Sequence, residues 1–307
     1  MAEPVTPPQL DLRSKTVVVT GGANGIGAQT VREYYARGAN VVVADLPSSR
    51  TAAETLIFSF AEPARALFIP TNIVVWDDMK SLFKATVENF GPVHIVVANA
   101  GMMESQGFYD MELDEHGELK EPIESYRVID VNLKGTMNTL RLAMHHMSTN
   151  PEDSIGQSRG SVVLVASTSG YFGGSGVVSY VASKHGVIGL LRSSQIAAAR
   201  YNVRVNGVAP FFTPTHITSS YSERWRASGL PANTVEDVAL AILQTSLDPL
   251  MRGRCCLAAG KRTNEIEAAR TALLPMWVGE EMANILAEGG RFFDKIGGYP
   301  LPKIRPS

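Results

Sequence analysis

Short apolar runs, rich in β-branched residues, recur along the chain, and none of them alternates with polar residues. A strand that is apolar throughout must be covered on both faces, which is typical of the parallel sheet in a doubly wound α/β fold. Segments with a helical pattern separate the runs, so we expect a Rossmann-type α/β domain with helices on both faces of the sheet. The predicted strands are residues 15–20, 40–45, 66–70, 93–99, 160–167, 203–209 and 253–259.

The segments between these strands predict the rest of the domain. We expect a core over residues 12–260 and a C-terminal extension over 261–307 that packs on the core or on a partner subunit within a single domain. Two polar segments, 102–121 and 148–159, are predicted to be surface insertions. The predicted helices are residues 25–37, 50–61, 76–90, 122–147, 178–200 and 234–247.

Composition argues against several classes of protein. Lys and Arg number 28 against 30 Asp and Glu, and no basic stretch is long enough to follow a nucleic acid backbone. The only cysteines, Cys255 and Cys256, are neighbours, which suits neither a disulfide framework nor a metal site. No apolar run reaches the roughly 18 residues that cross a bilayer, and the N-terminus lacks a secretory pattern. We therefore expect a cytoplasmic protein that acts on a small molecule.

A glycine-rich turn follows the first strand, where residues 20–27 read TGGANGIG. Gly21 and Gly25 can adopt backbone angles closed to other residues and let the main chain approach a pyrophosphate. The amides of the following helix N-terminus then face the negative charge. A tight turn that binds nothing remains the alternative, but the strand, turn and helix stand in the order that a phosphate site requires.

Asp45 ends the second predicted strand. A carboxylate at this position accepts hydrogen bonds from both adenosine ribose hydroxyls and repels a 2′-phosphate, so the sequence favours NAD over NADP. One alternative is a solvated Asp that opens a turn before Pro47. Another is that Arg50 holds a phosphate, although its place at a helix start suits a surface charge better.

Tyr180 and Lys184 stand four residues apart in a predicted helix, so their side chains share one face. Ser167 ends the fifth predicted strand, where open α/β sheets bind ligands. A phenol with an ordinary pKa of about 10 becomes a base near neutral pH only if its pKa is lowered, and we expect the Lys184 ammonium together with the positive nicotinamide ring to lower it. Ser167 would hydrogen-bond the substrate oxygen while Tyr180 exchanges a proton with it.

With these residues, the sequence resembles the short-chain dehydrogenase/reductase family over about residues 12–260, and loosely its NAD-dependent 15-hydroxyprostaglandin dehydrogenase branch. The resemblance implies a parallel sheet of order 3-2-1-4-5-6-7 and a homodimer or homotetramer. It also implies a catalytic tetrad in which Asn132 orients a water for a proton relay through Lys184. The cofactor-binding residues it implies are Gly21, Asn24, Gly25, Ile26, Gly27, Asp45, Asn72, Ile73, Asn99, Ala100, Gly101, Tyr180, Lys184, Pro210, Thr213 and Thr215.

Two positions depart from the family pattern. Asn72 stands where the family usually has Asp, and its amide oxygen can still accept a hydrogen bond from adenine. Phe211 follows Pro210 where the family usually has Gly, so we expect a narrower pocket beside the nicotinamide.

Apolar side chains dominate the predicted substrate pocket, which favours a bulky secondary alcohol or ketone of terpenoid, steroid, polyketide or lipid type. We therefore predict an NAD-dependent oxidoreductase with no metal. Two alternatives remain open: a non-redox cyclisation or isomerisation on the same fold, and a regulatory protein that binds NAD as a ligand. The predicted pocket residues are Met102, Met103, Tyr171, Phe172, Phe211, Phe212 and Trp225.

Overall fold

The computed structural model describes residues 11–152, 154–174 and 176–303 and contains an eight-stranded sheet. Its strand order is 3-2-1-4-5-6-7-8, and the first seven strands pair in parallel. The predicted order of those seven strands is confirmed. The strands are β1 (Thr16–Thr20), β2 (Asn40–Asp45), β3 (Ala66–Pro70), β4 (Val93–Ala98), β5 (Gly160–Val165), β6 (Val203–Pro210), β7 (Cys255–Ala259) and β8 (Arg262–Glu265).

β8 is the one strand that the sequence does not predict. Its residues are polar or charged and none of them is buried. The hydrophobic pattern that identifies the other strands is therefore missing.

The helices connect the strands, and most begin and end within a few residues of the predicted bounds. They are α1 (Gly25–Ala36), α2 (Arg50–Phe58), α3 (Trp76–Phe90), α4 (Ile123–Ile129), α5 (Thr136–Met147), α6 (Ser169–Phe172), α7 (Val178–Ser193), α8 (Gln195–Arg200), α9 (Ser219–Ala227), α10 (Val235–Leu247), α11 (Glu267–Ala272), α12 (Leu274–Val278) and α13 (Glu280–Lys295).

Two predicted helices are subdivided in the structure. The span predicted at 122–147 is α4 and α5 joined by a π-helical segment, Asp130–Gly135. The span predicted at 178–200 is α7 followed by α8. A hydrophobic pattern does not register a widened turn of this kind, and π segments occur frequently at functional sites.

Both faces of the sheet are covered, as the continuous apolar strands require. Val17 and Val19 belong to the core cluster that includes residues of α1, α2 and α10. Val18, equally buried, points to the opposite face because strand side chains alternate. A hydrogen bond of 2.6 Å between the hydroxyls of Tyr34 and Ser246 joins α1 to α10.

The segment 148–159 is not the simple surface insertion that its polarity predicts. Asn150 and Ser158 are buried, and Asn150 Nδ2 donates to the carbonyl oxygens of Val93 and Arg159. Arg204 of β6, fully buried, donates to Ser158 Oγ. The prediction is wrong here because partners distant in sequence satisfy the polar groups.

The segment 102–121 is largely exposed, as predicted. An isolated antiparallel bridge between Leu113 and Leu119 shapes its outer part. Lys120 N also donates to Glu112 O at 2.9 Å.

The chain divides into two units, with the boundary after Asn264. The unit from Glu265 onward contains α11, α12 and α13. Glu265 caps α11 by accepting hydrogen bonds from the amides of Glu267 and Ala268. That the extension packs on the core or on a partner subunit stays a prediction.

In the part of the chain that the structure describes, no helix combines the length and apolar character needed to span a bilayer. Cys255 and Cys256 are both buried and are not joined in a disulfide.

Arg204→Met is expected to lower the free energy of unfolding by about 2–4 kcal/mol, because it leaves buried acceptors unpaired. Those acceptors are the carbonyl oxygens of Ser246 and Asp248, at 2.7 and 2.8 Å, and Ser158 Oγ at 3.1 Å. Urea unfolding followed by circular dichroism measures the change. The exposed Arg200→Met serves as the control, and equal stability of the two variants would contradict a structural role for Arg204.

Candidate active site

A cavity of about 700 Å³ lies where the carboxyl ends of the central strands meet. Its lining includes the glycine turn after β1, the end of β2, and the residues that follow β4, β5 and β6. Ligands of open parallel sheets bind at this edge.

The glycine turn has the backbone geometry that its sequence predicts. Gly21 and Gly25 have φ angles of +63° and +53°, which disfavour residues with side chains. A Cβ on Gly27 would lie 2.0 Å from Gly21 O, so this glycine allows α1 to pack closely. Gly21 and Gly25 line the cavity, whereas Gly27 is not among its lining residues.

The N-terminus of α1 is arranged to receive an anion. Asn24 is the N-cap but makes no capping hydrogen bond through its side chain, and the first turn carries no acidic residue. A Cβ on Gly25 would meet only Thr215, with a nearest approach of 3.6 Å. Exposed amides at a helix start, beside a backbone without side chains, fit the pyrophosphate of a dinucleotide.

Asp45 lines the cavity at the end of β2 and is tied to the glycine turn. Its Oδ2 accepts from Ala23 N at 3.0 Å, and its Oδ1 accepts from Leu46 N at 2.8 Å. Arg50 instead pairs with Glu54 at 3.1 Å and lies over the Phe68 ring. Arg50 therefore contacts Glu54 of its own helix and Phe68 of β3.

Asn72 and Ile73 line the cavity after β3, as expected of adenine contacts. Asn72 Oδ1 accepts a hydrogen bond from Val74 N at 3.1 Å, which leaves one lone pair for a second donor. Ile73 packs against Gly135, where an added Cβ would lie 2.4 Å from Ile73 Cδ1.

Asn99 fastens β4 to the glycine turn. Its Nδ2 donates to the carbonyl oxygens of Thr20 and Gly21, at 3.0 and 3.1 Å. The amides of Asn99 and Ala100 both donate to Thr20 Oγ1. Asn99, Ala100 and the adjacent Gly101 all line the cavity, as predicted.

The structure brings Ser167, Tyr180 and Lys184 together at the cavity. The Ser167 and Tyr180 side chains are hydrogen-bonded, and Ser167 Oγ also accepts from Ser169 N at 3.1 Å. Lys184 Nζ donates to Val165 O at 2.9 Å and lies 5.6 Å from the centre of the Tyr180 ring. The Ser167 and Tyr180 hydroxyls thus form a hydrogen-bonded pair, and the Lys184 amine lies beside the Tyr180 ring.

Asn132 lies in the π-helical segment and is fully buried behind the cavity. Its Nδ2 donates to Met102 O at 2.8 Å and to Ser183 Oγ at 3.0 Å, while its Oδ1 accepts from Met102 N at 2.8 Å. The amide group thus joins the segment after β4 to α7. Both of its N–H groups are used, so a water of the predicted relay would have to meet the backbone carbonyl, which also accepts from Thr136 Oγ1.

The protein groups around Tyr180 do not by themselves lower its pKa. Burial raises the pKa of Tyr180 and outweighs the opposing hydrogen bond from Ser167, while Tyr221 and Glu104 raise it further. Burial also lowers the pKa of Lys184 to about 8. The lowering that proton transfer needs must therefore arise when cofactor and substrate bind.

Four aromatic side chains form one wall of the substrate end. Phe212 stacks on Trp225 with ring centres 4.3 Å apart, and Phe211 and Tyr221 pack at the edges of this pair, each at 5.5 Å. Met102 and Met103 also line the cavity. Sequence reasoning missed Tyr221, whose signal was its place four residues before Trp225 on one helix face.

Tyr171 and Phe172 are not among the described residues that line the cavity, so the structure corrects their predicted role. Both lie in α6, a single turn after Ser167. Phe172 is 73% exposed, and the Arg192 guanidinium lies over the Tyr171 ring. The short helix directs these two rings away from the site.

The chain around Pro210 accommodates Phe211 without interrupting the sheet. Phe211 N donates to Ala258 O at 2.8 Å, which continues the pairing of β6 with β7. Thr213 and Thr215 line the cavity beyond it, and Thr215 forms a capping box with Thr218. The predicted nicotinamide contacts therefore reach the cavity.

Comparison with known proteins shows the family. The short chain dehydrogenase family model matches residues 15–225. The short-chain dehydrogenase/reductase prx4 of Penicillium roqueforti is 32% identical over 293 residues, which cover 89% of this chain and 82% of the relative. The chain therefore belongs to the short-chain dehydrogenase/reductase family, whose members are oxidoreductases that use a nicotinamide cofactor.

Solved structures agree on the fold. A 3-hydroxyacyl-CoA dehydrogenase type-2 from Mycobacterium avium is 28% identical, with a TM-score of 0.69 over 84% of this chain and 99% of that one. A 3-ketoacyl-(acyl-carrier-protein) reductase from Brucella melitensis, solved with NADH, is 24% identical, with a TM-score of 0.71 over 81% and 98%. The predicted fold class is confirmed.

Gly27→Ala is expected to weaken NADH binding about tenfold or more, because the new Cβ collides with Gly21 O and moves the glycine turn. Fluorescence titration with NADH measures the affinity. Gly289→Ala in α13 is the matched control, since its Cβ would meet nothing within 4 Å. Unchanged NADH affinity in Gly27→Ala would show that the turn does not hold the cofactor.

Proposed function

We propose that the protein is an NAD-dependent dehydrogenase/reductase that interconverts a bulky, mostly apolar secondary alcohol and its ketone. The observation that carries the proposal is the Tyr180 phenol, hydrogen-bonded to Ser167 in the cavity that the glycine turn also lines. The glycine turn would hold the dinucleotide in the same cavity as this pair of hydroxyls.

In the proposed mechanism, Ser167 and Tyr180 bind the reacting oxygen. Ser167 Oγ, fixed by the Ser169 amide, donates to that oxygen, while Tyr180 Oη removes its proton in oxidation or returns one in reduction. Lys184 favours the charged phenolate when it is itself an ammonium. When bound, a nicotinamide cofactor would supply the hydride-transfer chemistry, and the glycine turn and Asp45 are the residues that would hold it. Ser167 and Lys184 are buried, which limits access of water to the reacting oxygen.

The preference for NAD rests on Asp45. Its carboxylate lines the cavity at the end of β2, where the adenosine ribose would bind, and Arg50, a cation that could neutralise a 2′-phosphate, is paired with Glu54. A negative charge there favours free ribose hydroxyls and repels a phosphate.

The substrate class rests on the aromatic wall and the two methionines. Such a surface binds through apolar area and leaves orientation to the few polar groups that converge on the reacting oxygen. The similar 3-hydroxyacyl-CoA dehydrogenase takes its name from a secondary alcohol substrate. A homodimer or homotetramer and a cytoplasmic location remain predictions.

The direct test incubates the purified protein with NAD and a panel of secondary terpenoid, steroid and aliphatic alcohols while nicotinamide absorbance is followed. We expect reduced cofactor to form in step with the ketone. Product that forms without net change in NADH would favour the non-redox alternative instead.

Tyr180→Phe is expected to reduce kcat about a hundredfold to ten-thousandfold, because the proton-transfer group is lost. Its NADH affinity should stay within about twofold, since the ring and the cavity wall remain. The exposed Tyr201→Phe is the control and should match the wild type. A large loss of NADH binding in Tyr180→Phe would mean that the lower kcat reflects lost cofactor and not lost proton transfer, which would contradict this assignment.

Asp45→Asn is expected to shift the ratio of NADH to NADPH affinity toward NADPH about tenfold, because the charge that repels the 2′-phosphate is removed. Fluorescence titration with both cofactors measures the ratio without any substrate. The exposed Asp77→Asn in α3 controls for the loss of one charge. A wild-type protein that binds NADPH as tightly as NADH would contradict the assignment.

A further inference from the structure

Glu104 reaches from the segment after β4 to the helix that carries Tyr180. Its Oε1 accepts from Ser179 N at 2.9 Å, and its Oε2 accepts from Tyr180 N at 3.1 Å. Both donors belong to the first turn of α7, whose amides have no partner within the helix. One carboxylate thus satisfies two amides, one of which belongs to Tyr180 itself.

The backbone on both sides of Glu104 is fixed by other contacts. Met102 N and O bind the Asn132 side chain, each at 2.8 Å. Ser105 N and Oγ both donate to Glu124 Oε1, at 2.7 and 2.6 Å. The Glu104 side chain is therefore held toward α7 from a rigid segment.

Among the described groups that influence the Tyr180 phenol, Glu104 is the one with a carboxyl group. The groups around this phenol are Ser167 after β5, Lys184 one turn along α7, Tyr221 of α9 and Glu104. Ser167 does not titrate in this range. Tyr221 has a raised pKa because of burial and is uncharged at neutral pH, while Lys184 supplies the only positive charge in this group.

We propose that Glu104 is a positioning residue that holds the first turn of α7 in place, and that its charge at this turn raises the pH above which Tyr180 acts as a base. The proposal rests on the proposed function, because Tyr180 acts as a base only if the protein oxidises an alcohol. Its electrostatic part concerns Tyr180 alone and applies to the protein without substrate. It also gives the start of the segment 102–121 a role in the active site.

Removal of the Glu104 charge is expected to change the pKa of Tyr180 in one direction. A carboxylate near a phenol disfavours the phenolate, so the Glu104 charge contributes to the raised pKa of Tyr180. Glu104→Gln keeps an acceptor oxygen of the same reach but loses the charge, so Tyr180 should ionise at lower pH. The acid limb of the pH profile for alcohol oxidation should move in the same direction.

The test is a spectrophotometric titration of tyrosinate in the full-length protein, with the Tyr180 step identified by its loss in Tyr180→Phe. We expect the midpoint of that step to move to lower pH in Glu104→Gln. It should not move in Glu121→Gln, an exposed residue of the same segment. An unchanged midpoint in a folded Glu104→Gln protein would overturn the proposal and leave Glu104 as a tether only.

A second pair of variants separates the effect of the Glu104 charge from the effect of its side-chain length. Glu104→Asp and Glu104→Asn introduce equally short side chains that differ in charge, so the midpoint of the Tyr180 step should be lower in Glu104→Asn than in Glu104→Asp. This comparison remains possible even if Glu104→Gln does not fold. Equal midpoints in this pair would also overturn the proposal. If the midpoints shift as expected but no alcohol is oxidised, the inference about Glu104 stands and the proposed function fails.

Discussion

A parallel sheet covered on both faces leaves the carboxyl ends of its strands as the place where polar side chains can converge. Every strand from β1 to β7 is largely apolar, so the polar chemistry of the cavity does not develop along the length of the sheet. It develops where the strands end. Thr20, Asp45, Asn99 and Ser167 all lie at such ends, and each belongs to the cavity or supports it.

Three polar side chains behind the cavity, those of Asn99, Asn132 and Glu104, hold this arrangement together by hydrogen bonds. Asn99 joins β4 to the glycine turn, and Asn132 joins the segment after β4 to α7. Glu104 adds a second link to α7, through the amide of Tyr180 itself. Because these side chains connect the end of β4 to the glycine turn and to α7, a small displacement of the segment after β4 would affect both the glycine turn and Tyr180.

Much of the fold and of the site could be predicted from the sequence, because the relevant signals are local. Continuous apolar runs identified the strands, and the glycine spacing identified the turn. Ser167, Tyr180 and Lys184 could be grouped because strand ends and a helix face converge in this topology. Their catalytic roles remain proposals that rest on this geometry.

The features that the sequence did not predict depend on distant partners. The polarity of Asn150 and Ser158 predicted exposure, yet groups from β4 and β6 satisfy them in the interior. Phe172 is as aromatic as Phe212, and only the turn of α6 places it outside the cavity. The raised pKa of Tyr180 likewise follows from burial, which residue spacing does not reveal.

The central claim is direct hydride transfer between a secondary alcohol and NAD at the Ser167 and Tyr180 hydroxyls. The most direct measurement uses an alcohol that the protein oxidises, deuterated at its carbinol carbon, and analyses the reduced cofactor by mass spectrometry. The account predicts that the deuterium appears on the reduced nicotinamide. Deuterium released to solvent, or a product formed with no labelled cofactor, would contradict it.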